Sequence, residues 1–121
     1  MSADQNYRKQ VYNATKGIYL DKNSSNETKK LHKAICMGDT DTVSKLLEGG
    51  VADPTYGNSW SIRAAVDFND IAVVKLLLDD DRVDHTSCDN HCTYMAKQMG
   101  FREILELIWS KNYNELKKLK Q

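Results

Sequence analysis

Three stretches of this sequence decide its fold: LHKAICMGDTDTVSKLL at 31–47, IRAAVDFNDIAVVKLLL at 62–78 and TYMAKQMGFREILELIW at 93–109. A shift of 31 residues superposes them. Ala34, Ala65 and Ala96 fall in register, as do Gly38, Asn69 and Gly100, then Val43, Val74 and Leu105, then Leu46, Leu77 and Ile108, then Leu47, Leu78 and Trp109. Self-similarity at a fixed period of this size is the mark of one supersecondary unit used repeatedly. Gly and Asn tolerate the left-handed conformation that ends a helix, so the Gly38 column predicts a stop inside each unit. Beyond that stop, apolar residues recur at spacings of three and four (Ile71, Val74, Leu77 and Leu78 in the middle unit), which gives one buried helical stripe. Each unit therefore reads as two short helices, with a small residue at the Ala column that lets a neighbouring helix approach. One such pair cannot cover its own apolar face, so the units must stack. The polar, turn-rich stretches GGVADPTYGNS (49–59) and DDRVDHTSCDN (80–90) connect them.

These residues resemble the ankyrin repeat. Leu31-His32-Lys33-Ala34 is similar to that family's Leu-His-x-Ala core, and Gly38-Asp39 with Val43, Leu46 and Leu47 continues it. Ile62-Arg63-Ala64-Ala65 with Val73-Val74-Lys75-Leu76-Leu77-Leu78 is the nearest to the family pattern. The style is that of divergent repeats common in large viruses and protists. The resemblance implies an all-α chain: a short ankyrin-like solenoid over 28–110, in units 28–58, 59–89 and 90–110. The family's Thr-Pro at the first helix is replaced by Lys29-Lys30, Trp60-Ser61 and His91-Cys92. The period falls short of the family's about 33 residues, so the connecting fingers are expected to be shortened. Thr93 stands where Leu31 and Ile62 stand, which marks the third unit as degenerate and terminal.

Solenoid ends need covering. Residues 1–27 are expected to form an amphipathic helix and a polar linker, NSSNET at 23–28 completing it. Tyr7, Val11, Ala14 and Ile18 share one face, and Ser2 with Gln5 is expected to act as a capping box. This helix is expected to lie on the first repeat; the alternative is a partner or dimer contact anchored by Tyr7, Tyr12 and Tyr19. Residues 111–121 form a basic tail or short capping helix, in which Leu116 and Leu119 pack while the lysines stay wet.

Composition narrows function. The chain of 121 residues balances 17 Lys plus Arg against 17 Asp plus Glu, and a general nucleic-acid binder carries a basic excess instead. No apolar run approaches the roughly 20 residues of a membrane span, and the polar opening MSADQNYRKQ has no signal-peptide character. A cytoplasmic location, including a host cytoplasm, is expected, with Cys36, Cys88 and Cys92 as reduced thiols. His85, Cys88, His91 and Cys92 concentrate zinc-type donors, yet no distant ligand pair completes a site. Their counterparts one unit earlier are Pro54, Gly57, Trp60 and Ser61, so the repeat itself accounts for the segment. No phosphate loop, nucleophile elbow or paired carboxylates stand out, and neither an enzyme nor a cofactor is expected.

What the ankyrin resemblance implies is protein–protein recognition through the concave side formed by fingers and first helices. In the fingers this singles out Tyr56, Asn58, Ser59, Trp60, Ser87, Asp89, Asn90 and His91; on the first helices, Asp67, Phe68, Gln98 and Met99. Phe68 and Met99 are expected either to be exposed there or to fill gaps between repeats, and Trp60 either to join that surface or to be buried at the helix start in place of the family's Thr. The partner is another protein, such as a host protein or enzyme that the chain inhibits or sequesters. The alternatives are a nucleic-acid contact through the Lys-rich tail, which would weaken steeply with salt, and a small zinc-stabilised domain, which a chelator would melt. The stacked reading makes a direct prediction: Ala65→Leu overpacks the helix contact and lowers the unfolding free energy by about 1–3 kcal/mol or more in denaturant titration.

Overall fold

The structure, a computed structural model, describes residues 4–19 and 22–119, and for residues 18, 19 and 87–89 the backbone alone. Among the described residues it is entirely helical. The elements are α1 (Gln5–Tyr19), α2 (Asn26–Met37), α3 (Thr40–Gly49), α4 (Tyr56–Asp67), α5 (Ile71–Leu78), α6 (Ser87–Met99) and α7 (Arg102–Leu119). No helix among the described residues is long and apolar enough to cross a membrane.

The repeated stop residues do what their chemistry allows. Gly38, Asn69 and Gly100 all adopt left-handed backbone, with φ of 72°, 54° and 70°. At each, the chain closes the same way: the carbonyls of Ala34, Ala65 and Ala96 accept the amides of Asp39, Asp70 and Phe101 at 2.9, 3.0 and 2.8 Å. That bond satisfies a carbonyl the helix end would otherwise strand. Asp39 and Asp70 then cap the next helix at once, their carboxylates accepting the amides of Thr42 and Val73. Each of the first two helix pairs is thus joined by residues that belong to both helices.

Packing follows the repeat. α2 pairs with α3, α4 with α5, and α6 with α7; α4 lies between α2 and α6, and α5 between α3 and α7. The three column alanines are buried, as are Val43, Val74, Leu77, Leu78 and Ile108. Burial is most complete in the middle pair, which has neighbours on both sides. In the outer units Leu46, Leu47 and Leu105 are only partly covered, and Trp109 is exposed. Where the middle unit buries Ile62 and Val66, the third carries Thr93 and Lys97, and Lys97 is solvent-facing.

The connecting turns repeat as well. Asp53 Oδ1 accepts the amide and hydroxyl of Thr55, and Asp84 Oδ1 accepts those of Thr86. Arg82 ties the second turn to the first, donating to the carbonyls of Ala52 (2.9 Å) and Leu47 (3.3 Å) while Asp80 holds it at 2.8 Å. Gly57, Asn58 and Ser59 then make a full left-handed turn, with φ of 68°, 60° and 60°, before α4 proper. Arg63 donates to the Gly57 and Asn58 carbonyls and braces it. Asn90 repeats the left-handed geometry one unit later.

Both ends depart from expectation. The helix cap at α1 is Asp4, whose carboxylate accepts the Tyr7 amide at 2.8 Å; Ser2 lies outside the described residues. The C-terminal tail is no separate short helix, because α7 runs unbroken across position 110. Its partner α5 is only 8 residues long against 18 for α7, so the distal half of α7 has nothing from α5 beside it. Leu116 and Leu119, expected to pack, are accordingly 59% and 82% exposed. Ser59 is a buried non-glycine residue in left-handed backbone, which costs roughly 1–2 kcal/mol. Ser59→Gly should therefore leave the thermal midpoint unchanged or raised, whereas Ser59→Val should lower it clearly.

Candidate interaction surface

α1 lies chiefly on α2, as expected of a helix seated on the first repeat, and reaches further than that. It packs on α2 and also on α4, so it lies across the face made by the first helices of two units. Its contacts fix which side it presents. Arg8 is buried, and its guanidinium donates to the carbonyls of Ile35 (3.1 Å) and Cys36 (3.3 Å) at the C-terminal end of α2. It pairs with the Asp70 carboxylate at 3.1 Å and stacks over the Phe68 ring at 4.7 Å from the centroid. Carbonyls at a helix C-terminus carry partial negative charge, so this is a socket built for a cation. Gly38 borders it so tightly that a Cβ would come within 3.0 Å of the guanidinium.

One and two turns on, Tyr12 and Thr15 cover His32. The His32 ring lies 5.4 Å from the Tyr12 ring and 4.4 Å from Trp60, and its Nε2 is 2.9 Å from the Thr15 hydroxyl. Thr15 already donates to the Val11 carbonyl at 2.7 Å, so its oxygen is left to accept from His32 Nε2–H. Nδ1 is then the bare acceptor, with no partner among the described residues. Burial pushes the imidazole pKa down to about 4 and the neighbouring Cys36 thiol up to about 12. Neither is poised for chemistry near neutral pH.

The face of α1 that meets the stack is therefore Arg8, Val11, Tyr12 and Thr15, and not the Tyr7, Val11, Ala14 and Ile18 stripe that its apolar residues predict. Ala14 is exposed and Tyr7 half-exposed, although Tyr7 still meets Phe68 edge-on at 6.0 Å. The side chain of Ile18 lies outside the described residues. The true stripe, at i, i+3, i+4 and i+7, is as helical in its spacing as the expected one at i, i+4, i+7 and i+11. It was hidden because an arginine was counted as polar although its stem and plane pack like an apolar group.

This placement corrects several expected surface residues. Phe68, a candidate exposed anchor, is 2% exposed beneath α1. Trp60 and Ser59 are buried too, Trp60 against His32 and Ser59 within the left-handed turn. Tyr56 is half-buried, and Asn58 and Asn90 are exposed at the tips of their turns. Asp67 remains accessible and meets His91 at 3.4 Å; partial burial raises its pKa, with His91 and Arg63 opposing. Gln98 and Met99 are exposed, Met99 at 56%, and Tyr94 beside them is a large exposed ring that the repeat columns did not single out. The side chains of Ser87 and Asp89 lie outside the described residues.

Two of the zinc-type donors take other partners. His85 is buried with Nε2 2.6 Å from Asn112 Oδ1, and His91 turns to Asp67; Cys92 is buried. The Cys88 side chain lies outside the described residues; among those described, no three His, Cys, Asp or Glu side chains converge to hold a metal ion. Comparison with protein-family models, with curated proteins and with solved structures gives no match.

The buried imidazole predicts a pH signature. Below its ordinary 6.5 the unfolded chain takes up a proton that folded His32 refuses until about pH 4. Stability therefore falls as pH drops through that window, by up to about 1.4 kcal/mol per pH unit. Urea titrations from pH 7 to pH 4 should show a steeper loss for the wild type than for His32→Gln; parallel curves would place the imidazole in water.

Proposed function

We propose that this chain is a short ankyrin-like solenoid whose three helix pairs serve as a protein-recognition module. It binds and does not catalyse; its partner meets the first-helix face where that face emerges from under α1. One observation carries the reading. α6 bears Tyr94, Gln98 and Met99 exposed at the repeat positions occupied in α4 by Arg63, Asp67 and Phe68, which α1 covers or borders. The same face thus takes a helix over two units and stands open over the third.

A rigid aromatic such as Tyr, an adaptable Met and hydrogen-bonding Gln and Asn are what a recognition surface uses. Asn58 and Asn90, on left-handed turns at its edge, extend it. Isolated exposed apolar residues are ordinary, but two on one face of α6 beside an occupied groove are a concentrated feature. A compact cytoplasmic binder of this sort acts by covering its partner's surface, which is inhibition or sequestration.

Tyr94→Ala combined with Met99→Ser should change stability by no more than about 0.5 kcal/mol, because both side chains are exposed. Tagged wild type and double variant, passed over cytosol from the native source, should differ in what they retain. A protein held by the wild type and lost by the variant supports this face, and identical capture by the two would sink it.

A further inference from the structure

The trough beneath α1 is built more carefully than α1 fills it. Between Tyr7, Val11 and Thr15 of α1 and a floor of Trp60, Ala64 and Phe68, rimmed by Arg63 and Asp67, lies a half-open cavity of about 190 Å³. A cavity that size is room for several methylene groups, and its unmade contacts are lost stabilisation. At one end stands the guanidinium socket, with the Asp70 carboxylate, the Ile35 and Cys36 carbonyls and the Phe68 ring. The trough thus asks for a helix with a cation at one turn and bulk at the next.

Apart from its buried cation, α1 holds this site with side chains that are only partly covered. Of its described side chains only Arg8 is fully buried, whereas α4 buries seven residues. Asn13, Thr15 and Gly17 also weaken it as a helix. Segments with few buried apolar contacts open at a lower free energy than the rest of a fold.

We propose that this trough is a docking site for an amphipathic helix of another protein that presents an arginine followed, one and two turns on, by larger apolar residues. α1 occupies it in cis as a stand-in that such a helix displaces. The inference rests on the interaction-module reading above and concerns a second part of the first-helix face, the part that α1 covers, not the open part on α6. Charge complementarity selects the cation: Asp70 and the negative end of α2 favour a planar guanidinium that donates to several acceptors at once. The unfilled volume selects for a helix bulkier than α1.

The test uses the full chain and fluorescein-labelled peptides of residues 4–19, read by fluorescence anisotropy. The wild-type chain should bind the native-sequence peptide weakly, since its own α1 competes at high effective concentration. A Val11→Leu peptide, adding one methylene to the cavity, should bind about fourfold tighter, and an Arg8→Ala peptide should bind at least tenfold more weakly. The Arg8→Ala chain, its own α1 released, should bind the native peptide at least tenfold more tightly than the wild type does. Should that chain fail to fold by circular dichroism, hydrogen exchange on the wild type decides: α1 amides must open well before those of α4, and exchange only through global unfolding overturns the proposal. Equal binding of native and Arg8→Ala peptides, or none, overturns it too. A concentration-dependent dimer that the peptide dissolves would instead make a second copy's α1 the occupant, and would equally refute the foreign helix. Tyr94→Ala with Met99→Ser should leave peptide binding unchanged, so failure here and failure of the α6 surface are read separately.

Discussion

A guanidinium has been taken out of water at the centre of this molecule, and the arrangement around it follows from the need to compensate that burial. An unpaired buried charge is costly enough that structures avoid it. Arg8 meets the cost with the Asp70 carboxylate, two carbonyls from the end of α2 and the face of Phe68. Those partners come from α2 and from the α4–α5 junction, so satisfying a cation carried by α1 fixes the three relative to one another. With Arg8 seated, α1 can present only one side, and Phe68, Trp60 and His32 are covered as a consequence. Breaking such a pair leaves the other charge stranded, which gives a small fold one strongly non-additive joint.

Around that joint the stack holds by nearest-neighbour contacts. The Ala columns allow close approach of α2, α4 and α6, and the aliphatic columns of α3, α5 and α7 fill the second layer. Apolar burial is deepest where a pair has two neighbours, and it thins toward Leu46, Leu47 and Trp109. Arg82 adds a polar stitch between successive turns, its guanidinium raised further in pKa by the hydrogen bond to Asp80. Stability in such an array is roughly a sum over units and the interfaces between them.

Much of this could be read along the chain. The period, the two-helix units and the left-handed stops at Gly38, Asn69 and Gly100 follow from residue type and spacing, since each depends on local backbone chemistry. The seat of α1 on the first repeat agrees with expectation, but the side it presents and its reach to α4 could not be read. Its apolar stripe was the wrong one, and no local pattern says that an N-terminal helix crosses two units. The burial of Phe68 under α1 and of Trp60 against His32 is a tertiary fact, imposed by side chains far off along the chain. The reach of α7 beyond α5 was likewise invisible, because the length of one helix carries no information about where its neighbour stops. Tyr94 was missed for a simpler reason: it sits outside the conserved-looking columns, and only its exposure marks it.

The doubled role of Asp39 and Asp70 has a consequence for anything that meets this surface. Each is the last hydrogen-bonded residue of one helix and the cap of the next, so the first two pairs contain no free linker in which a hinge could form. The corner between paired helices is pinned by a backbone bond on one side and an Asp cap on the other, in addition to the packing of the helices. A face assembled from such corners arrives at an encounter already shaped, and little ordering entropy remains to be lost on contact. Whatever adjustment occurs must come from side chains, turn tips and α1, which confines plasticity to the periphery of an otherwise stiff frame.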